Sequence, residues 1–139
     1  MSKQNDQIDE LNSTVKVRLA QSKIHGVGII AIRDIRKGEI LHCFARQDSP
    51  WYDIPFGSLN KLFPEIKEII LERWASIVNG SHFKSPNDDQ WLILFMNHSE
   101  TPNYEIKSDT ALCDIKKGEE VTSDYRTMEN YQKVFPFLK

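Results

Sequence analysis

The apolar residues of this chain keep no single period. Val15, Val17 and Leu19 alternate with Lys16 and Arg18, the pattern of a half-buried strand. Ile29-Ile30-Ala31-Ile32 reads as a second strand, Lys37-Gly38 as a turn, and Glu39 to Phe44 as a third strand. Residues 47–57 are polar and carry two prolines, as a loop does. Leu59, Leu62, Phe63, Ile66, Ile69 and Ile70 then follow at three- and four-residue steps, a helical spacing with Ser58 placed as cap and Pro64 dividing it into one or two pieces. Asn79-Gly80 predicts a hairpin turn with a strand on either side. Trp91 to Met96 reads as a short buried segment. Tyr104 to Lys107, Ala111 to Cys113 and Thr122 to Tyr125 complete the predicted strands, and Phe135-Pro136-Phe137-Leu138 forms an apolar end. Many short strands with little helix predict a mostly-β fold of non-local pairings.

Residues 1–13 are rich in Gln, Asn, Asp and Ser and read as a flexible tail. Their lack of an apolar centre makes an intracellular site, cytoplasmic or nuclear, the expectation. The sequence has 139 residues, enough for one domain. No segment approaches the roughly 20 apolar residues that span a bilayer, so no membrane is expected. A net charge of -2 does not suggest direct nucleic-acid binding. Two cysteines, Cys43 and Cys113, with no Cys-x-x-Cys pair, suggest neither a disulfide framework nor a cysteine-built metal site.

One segment occurs twice. Ala31-Ile32-Arg33-Asp34-Ile35-Arg36-Lys37-Gly38-Glu39 and Ala111-Leu112-Cys113-Asp114-Ile115-Lys116-Lys117-Gly118-Glu119 share six of nine residues. Each reads as a strand ending in a turn. The aspartate is expected to bond its own backbone two residues on, glycine to supply a positive φ, and Ile35 and Ile115 to plug the core beneath. Two copies predict a pseudo-symmetric β architecture in which each makes the same corner.

Three stretches remain for chemistry. Gly26-Val27-Gly28 lets backbone approach a ligand, though taken alone it is an ordinary turn. Asn97-His98-Ser99-Glu100-Thr101-Pro102-Asn103 gathers amides, an imidazole and a hydroxyl behind an apolar run, and alone reads as an Asx-Pro turn. Glu119-Glu120-Val121-Thr122-Ser123-Asp124-Tyr125 ends a strand on a tyrosine that can present its hydroxyl to a pocket.

Taken together, in this order and spacing, the three resemble the SET-domain family. Ser22 to Gly28 looks like its opening, Asn97 to Asn103 is similar to its Asn-His-Ser-x-x-Pro-Asn signature, and Gly118 to Tyr125 is similar to its Gly-Glu-Glu-Leu-Thr-aromatic-Asp-Tyr signature. The resemblance implies a β-clip-like fold of several small sheets with a pseudo-knot and a short helical insert. It places the domain at 14–125 with the insert at about 47–90, and a segment 126–139 that closes the channel.

It implies S-adenosyl-methionine as cofactor and the lysine of a protein or peptide as substrate. By position, the backbone of Ile24, His25, Gly26, Val27 and Gly28 would hold the methionine end of the cofactor. Asn97 and His98 would contact its adenosine, and Tyr125 would sit beside the transferring methyl as the catalytic residue. Phe44, Ser123, Tyr131, Phe135 and Phe137 would wall the substrate channel.

Glu100 stands where many members carry a zinc-ligating cysteine, and the tail has none, so no metal is expected. Ser123 replaces the family's usual aromatic residue and Phe44 its tyrosine, which bears on activity and on product number. The alternatives are a non-catalytic SET-fold binding or regulatory module and, third, a β-clip domain for sugars or acids. A homodimer that completes the substrate groove is left open.

Overall fold

The computed structural model describes residues 3–46, 48–72, 82–89, 91–127 and 133. The chain forms two compact units. The first takes the chain up to Arg18 and from Leu41 to Leu94; the second takes Leu19 to Ile40 and the chain from Phe95 on.

The first unit opens with α1 (Lys3–Thr14). The flexible tail expected here is a helix, and the reason is a sparse apolar stripe backed by long-range polar ties. Ile8 and Leu11 are buried, and Val15 continues their line. The Gln7 Oε1 accepts from the Asp53 N–H at 3.1 Å, Asn12 Oδ1 accepts from the Phe63 N–H at 2.8 Å, and Asn87 Nδ2 donates to the Thr14 carbonyl at 2.9 Å. Polar side chains that read as a tail's composition, Gln7 and Asn12, are instead satisfying backbone groups of residues 46 and 51 positions away, and Asn87 ties down the helix's last carbonyl in return.

Strands β3 (Trp51–Asp53) and β4 (His82–Lys84) pair antiparallel, with Tyr52 opposite Phe83 on the buried face and Trp51 opposite Lys84 outside. The earlier strands are β1 (Val17–Gln21) and β2 (Val27–Ala31). Between β3 and β4 the helical spacing resolves into two pieces, a 3₁₀ turn at Phe56–Lys61 and α2 at Pro64–Glu72. Pro64 starts α2 rather than interrupting it, as a residue without an N–H can at a first helical position. Ile66, Ile69 and Ile70 face inward. Ser58 caps nothing: the turn begins at Pro55, which makes no side-chain capping bond. Asn79-Gly80 lies outside the described residues, and so does the strand expected before it; β4 follows it.

A short α3 (Pro86–Asp89) and a 3₁₀ turn at Leu92–Phe95 close this part of the chain. The segment Trp91 to Met96 is not uniformly buried. Leu92 and Met96 are, but Leu94 is 76 % exposed and Trp91 about half so, because a 3₁₀ turn cannot put consecutive side chains on one face. Nor is Glu39 to Phe44 a strand. His42 has φ 59°, which ends extended structure, and only an isolated bridge from Ile40 to Thr110 remains.

The second unit holds a four-stranded sheet. Its remaining strands are β5 (Asn97–His98) and β8 (Glu120–Ser123), and its order is β1-β2-β8-β5, with the last three residues of β1 belonging to this unit. A small hairpin, β6 (Tyr104–Glu105) and β7 (Thr110–Ala111), lies between them in sequence. The β2–β8 pair is antiparallel and β5–β8 is parallel. The segment with Asn97 and His98 thus runs beside the strand that leads to Tyr125.

The two repeat copies pair with each other. Ile35 and Ile115 form an antiparallel bridge, exchanging two N–H···O bonds of 2.7 Å, and both are buried. Gly38 and Gly118 turn each corner at φ 88° and 91°. The aspartates do not bond their own backbone as expected. Asp34 accepts from the Lys117 N–H and Asp114 from the Lys37 N–H, each at 2.9 Å, so each copy caps the other's turn.

Among the described residues no helix is long and apolar enough to cross a membrane.

Candidate functional site

The site is built in the second unit from three stretches, the loop 22–28, β5 with the turn after it, and β8 with Tyr125. The loop closes on itself through a Ser22 N–H bond to the Gly26 carbonyl at 2.8 Å, with Gly26 at φ 51°. Ser22 Oγ accepts the N–H groups of Ile24 and His25 at 2.8 and 3.1 Å. It in turn donates to the Glu120 carboxylate at 2.7 Å.

Asn97 Nδ2 joins the same knot. It lies 2.9 Å from Glu120 Oε2, 3.0 Å from Ser22 Oγ, and 3.1 and 3.4 Å from the carbonyls of His25 and Val27. Two N–H protons are shared among four oxygens. The Asn97 amide nitrogen is therefore directed at the loop, and it fixes the loop's backbone rather than reaching outward.

Gly28 is needed for this packing. A Cβ on it would fall 2.5 Å from Glu120 Oε2 and 3.1 Å from Asn97 Nδ2. Its space is taken by the carboxylate that holds the loop. Ile24 and Val27 are half exposed.

Asn103 ties the turn after β5 to β8. Its Nδ2 donates to the Glu120 carbonyl at 2.8 Å and its Oδ1 accepts from the Thr122 N–H at 2.9 Å, as another strand's backbone would. Ser99 N–H donates to the Ser123 carbonyl at 3.0 Å and extends the parallel pairing.

At the end of β8, Tyr125 begins a short 3₁₀ turn. Its N–H donates to His98 Nδ1 at 3.0 Å, which puts the ring proton of His98 on Nε2. The two rings are 5.1 Å apart and tilted by 51°. The Tyr125 hydroxyl donates to the Met96 carbonyl at 2.5 Å. Burial raises its pKa above the ordinary phenol value, so the proton stays on through neutral pH.

Asp124, next to it, is gripped by Arg126 through both carboxylate oxygens at 2.8 and 2.9 Å. Arg126, through its side-chain and backbone bonds, holds the Asp124 carboxyl at about 2. Ser123 is 1 % exposed, and its Oγ has no hydrogen-bond partner among the described residues. It is an orphaned buried hydroxyl two residues before the tyrosine.

Of the residues named from sequence, the second unit thus brings together Ile24 to Gly28, Asn97, His98, Ser123 and Tyr125. Phe44 belongs to the first unit, where its ring meets Trp91 edge-on at 6.4 Å. Tyr131, Phe135 and Phe137 lie outside the described residues. Among the described residues no cluster of three or more His, Cys, Asp or Glu side chains is arranged to hold a metal.

Sequence reasoning missed Ser22, Glu120 and the Met96 carbonyl. Glu120 had a signal. It is the first residue after the repeat, and its counterpart in the other copy is Ile40, so a carboxylate appears where symmetry would put an apolar residue. The Met96 carbonyl had none, since a backbone atom leaves no trace in composition.

No curated protein matches the sequence. Among solved structures, a Plasmodium falciparum candidate histone methyltransferase superposes with a TM-score of 0.40 at 20 % identity, over 84 % of this chain and 97 % of that one. Two structures of a humanized mutant of the Chaetomium thermophilum Polycomb Repressive Complex 2 also match. The one bound to the inhibitor GSK126 has a TM-score of 0.44 at 18 % identity, over 86 % of this chain and 16 % of that one. The one bound to GSK343 has a TM-score of 0.43 at 21 % identity, over 88 % and 17 %. In sequence, the family model for the SET domain matches residues 26–126, which spans the loop glycines, both signatures and Tyr125: the chain belongs to the SET-domain family.

Proposed function

We propose that this chain moves a methyl group from S-adenosyl-methionine to the side-chain nitrogen of a lysine in a protein or peptide. Membership of the family makes methyl transfer the natural chemistry. The observation that carries the reading to this chain is Tyr125, whose hydroxyl is oriented by the Met96 carbonyl and whose ring is held by His98.

The residues suit a positively charged cofactor. A tyrosine hydroxyl that gives its proton to a carbonyl offers its oxygen as acceptor, and Ser123 adds a buried hydroxyl with no partner among the described residues. These are uncharged oxygens, which favour a polarised methyl without trapping a cation as a carboxylate would. The loop 22–28, stiffened by Ser22, Asn97 and Glu120, is the part that would cradle the cofactor's methionine end. When bound, S-adenosyl-methionine supplies a sulfonium methyl that a neutral amine takes up with loss of the thioether.

The chain's own work is then positioning and proton control. A free lysine has a pKa of about 10.4, and an apolar surround lowers it so that a neutral amine is available. Tyr125, uncharged at neutral pH, orients that nitrogen, and alignment of reacting atoms supplies several kcal/mol in such displacements.

The test is transfer of labelled methyl from the cofactor to a protein lysate. Wild type is expected to label lysine, and Tyr125→Phe to lose roughly 100-fold in rate or more with cofactor binding retained. Equal transfer by the two, or none by wild type, would overturn the assignment. The second reading, a non-catalytic SET-fold module, is favoured by Ser123 and Phe44 in place of the usual aromatic and tyrosine. Calorimetry that finds cofactor binding with no turnover on broad peptide arrays supports it.

A further inference from the structure

His98 pairs with Ser123 at the end of β8, and its ring meets the turn that presents Tyr125. The ring makes this contact as an acceptor. Its Nδ1 takes the Tyr125 N–H at 3.0 Å, a bond open only to the neutral imidazole that keeps its proton on Nε2. A proton on Nδ1 would set two donors face to face, and turning the ring over would offer a carbon instead.

The charged and titratable neighbours come from three stretches. Asp124, after β8, has its Oδ1 3.7 Å from Nδ1. The turn brings the Tyr125 phenol and Arg126, which grips Asp124. The segment after β5 brings Glu100, 3.9 Å from Arg126 and largely exposed. Asp124 is held at about 2 and the Tyr125 phenol is raised by burial, so neither changes charge near neutrality. An imidazole is the side chain whose kind does so, between about pH 5 and 8.

A protonated ring would have Asp124 as its acceptor. At 3.7 Å that is too long for a hydrogen bond, and the same Oδ1 already accepts the Arg126 backbone N–H and Nε, each at 2.9 Å. The ring has to move toward the carboxylate and give up Tyr125. We infer that His98 is the positioning residue for Tyr125 and holds it only while its ring is uncharged, so that acid frees the turn that places the hydroxyl. The inference rests on the methyl-transfer reading for its effect on rate, whereas the exchange of bonds at His98 does not.

Two measurements on the full chain test it. The first is an NMR titration without cofactor from about pH 8 to about 5, following the His98 ring and the Tyr125 amide. At the upper end the ring proton is expected on Nε2. The Tyr125 amide should shift with the midpoint of the His98 ring and exchange with water roughly tenfold faster in the charged form. In His98→Asn, whose Oδ1 stands where Nδ1 stood and does not titrate, that amide should hold its position throughout. A wild-type amide that ignores the His98 titration, or a ring proton on Nδ1 at the upper end, would overturn the inference whether or not the chain transfers methyl.

The second is kcat/KM against pH at saturating S-adenosyl-methionine, for wild type and His98→Asn on one lysine substrate. Their ratio cancels the ionisation of the lysine. It should be level above the His98 midpoint and about tenfold lower one pH unit below it. A ratio constant across the range means that His98 serves packing alone, and the inference falls. Absence of transfer by both proteins would overturn the methyl-transfer reading, and the NMR titration then decides the bond exchange by itself.

Discussion

The corner at residues 31–39 and the corner at residues 111–119 are built alike, and one residue later they part. Within the corners the backbone pairing and the caps are reciprocal. Ile35 exchanges bonds with Ile115, Gly38 and Gly118 share a backbone conformation, and each aspartate caps the other's turn. The next position holds Ile40 in one copy and Glu120 in the other. Ile40 is 49 % exposed and makes one bridge to Thr110. Glu120 meets Ser22 and Asn97 and excludes any side chain at Gly28. The paired corners are scaffold, and the site begins where their symmetry ends.

Restoring the symmetry by substitution is the sharpest way to break this contrast. Glu120→Ile strands the Ser22 hydroxyl and takes from the Asn97 amide its shortest and only charged acceptor, and an expected loss of about 2–3 kcal/mol follows from an unpaired donor next to a lost charged acceptor. Ile40→Glu at the counterpart position is expected to stay within about 0.5 kcal/mol, as exposed substitutions do. Denaturant unfolding measures both, and equal losses would end the argument. Gly28→Ala attacks the same knot from the other side, and the strain of displacing a bonded carboxylate should cost about 1–3 kcal/mol. Because both changes act on one network, the double variant Gly28→Ala/Glu120→Ile should lose less than the sum.

Inside the corners the expectation reverses, and equality is the prediction. Asp34→Ala and Asp114→Ala each remove one cross-copy bond to a backbone N–H, and each should cost about 0.5–1.5 kcal/mol. The two losses should agree within about 0.5 kcal/mol of each other. A loss at one and none at the other would show that a single copy carries the turn pair.

What the sequence disclosed follows the same division. The corners were legible as a repeat, and the site as three ordered motifs, because local side-chain identity states both. The partners of the aspartates were not, since a bond to a residue about 80 positions away looks the same in sequence as one to a neighbour. For the same reason α1 read as a tail. Its Gln7 and Asn12 act on backbone groups of β3 and of the residue before α2, and only the folded chain brings those near. The strand expected from Glu39 to Phe44 failed on one residue, His42, whose positive φ no alternation pattern reveals. The role of Glu120 lay between the two cases. The break in the repeat marked it, but only geometry shows that it presses on Gly28.

Four residues past the point of divergence the copies differ in charge as well, with Phe44 in one and Asp124 in the other, and this makes the smallest effect a pH effect. The Arg126 guanidinium beside Asp124 lowers its carboxyl from 3.8 to about 2. A carboxyl held below its ordinary value adds stability that is fully present above about pH 4 and is lost as pH falls from there through about 2. What is lost is local, because Asp124 Oδ1 accepts the Arg126 N–H at 2.9 Å and the Asp124 carbonyl accepts from Thr127. The stability difference between wild type and Asp124→Asn should therefore be level above about pH 4 and shrink below it. An NMR titration should place the Asp124 midpoint near 2, and Arg126→Gln should return it toward 3.8. A midpoint near 3.8 in the wild-type chain would mean that Arg126 does not grip the carboxylate in solution. The turn that presents Tyr125 would then be held by the His98 bond and the Thr127 contacts to the Asp124 carbonyl.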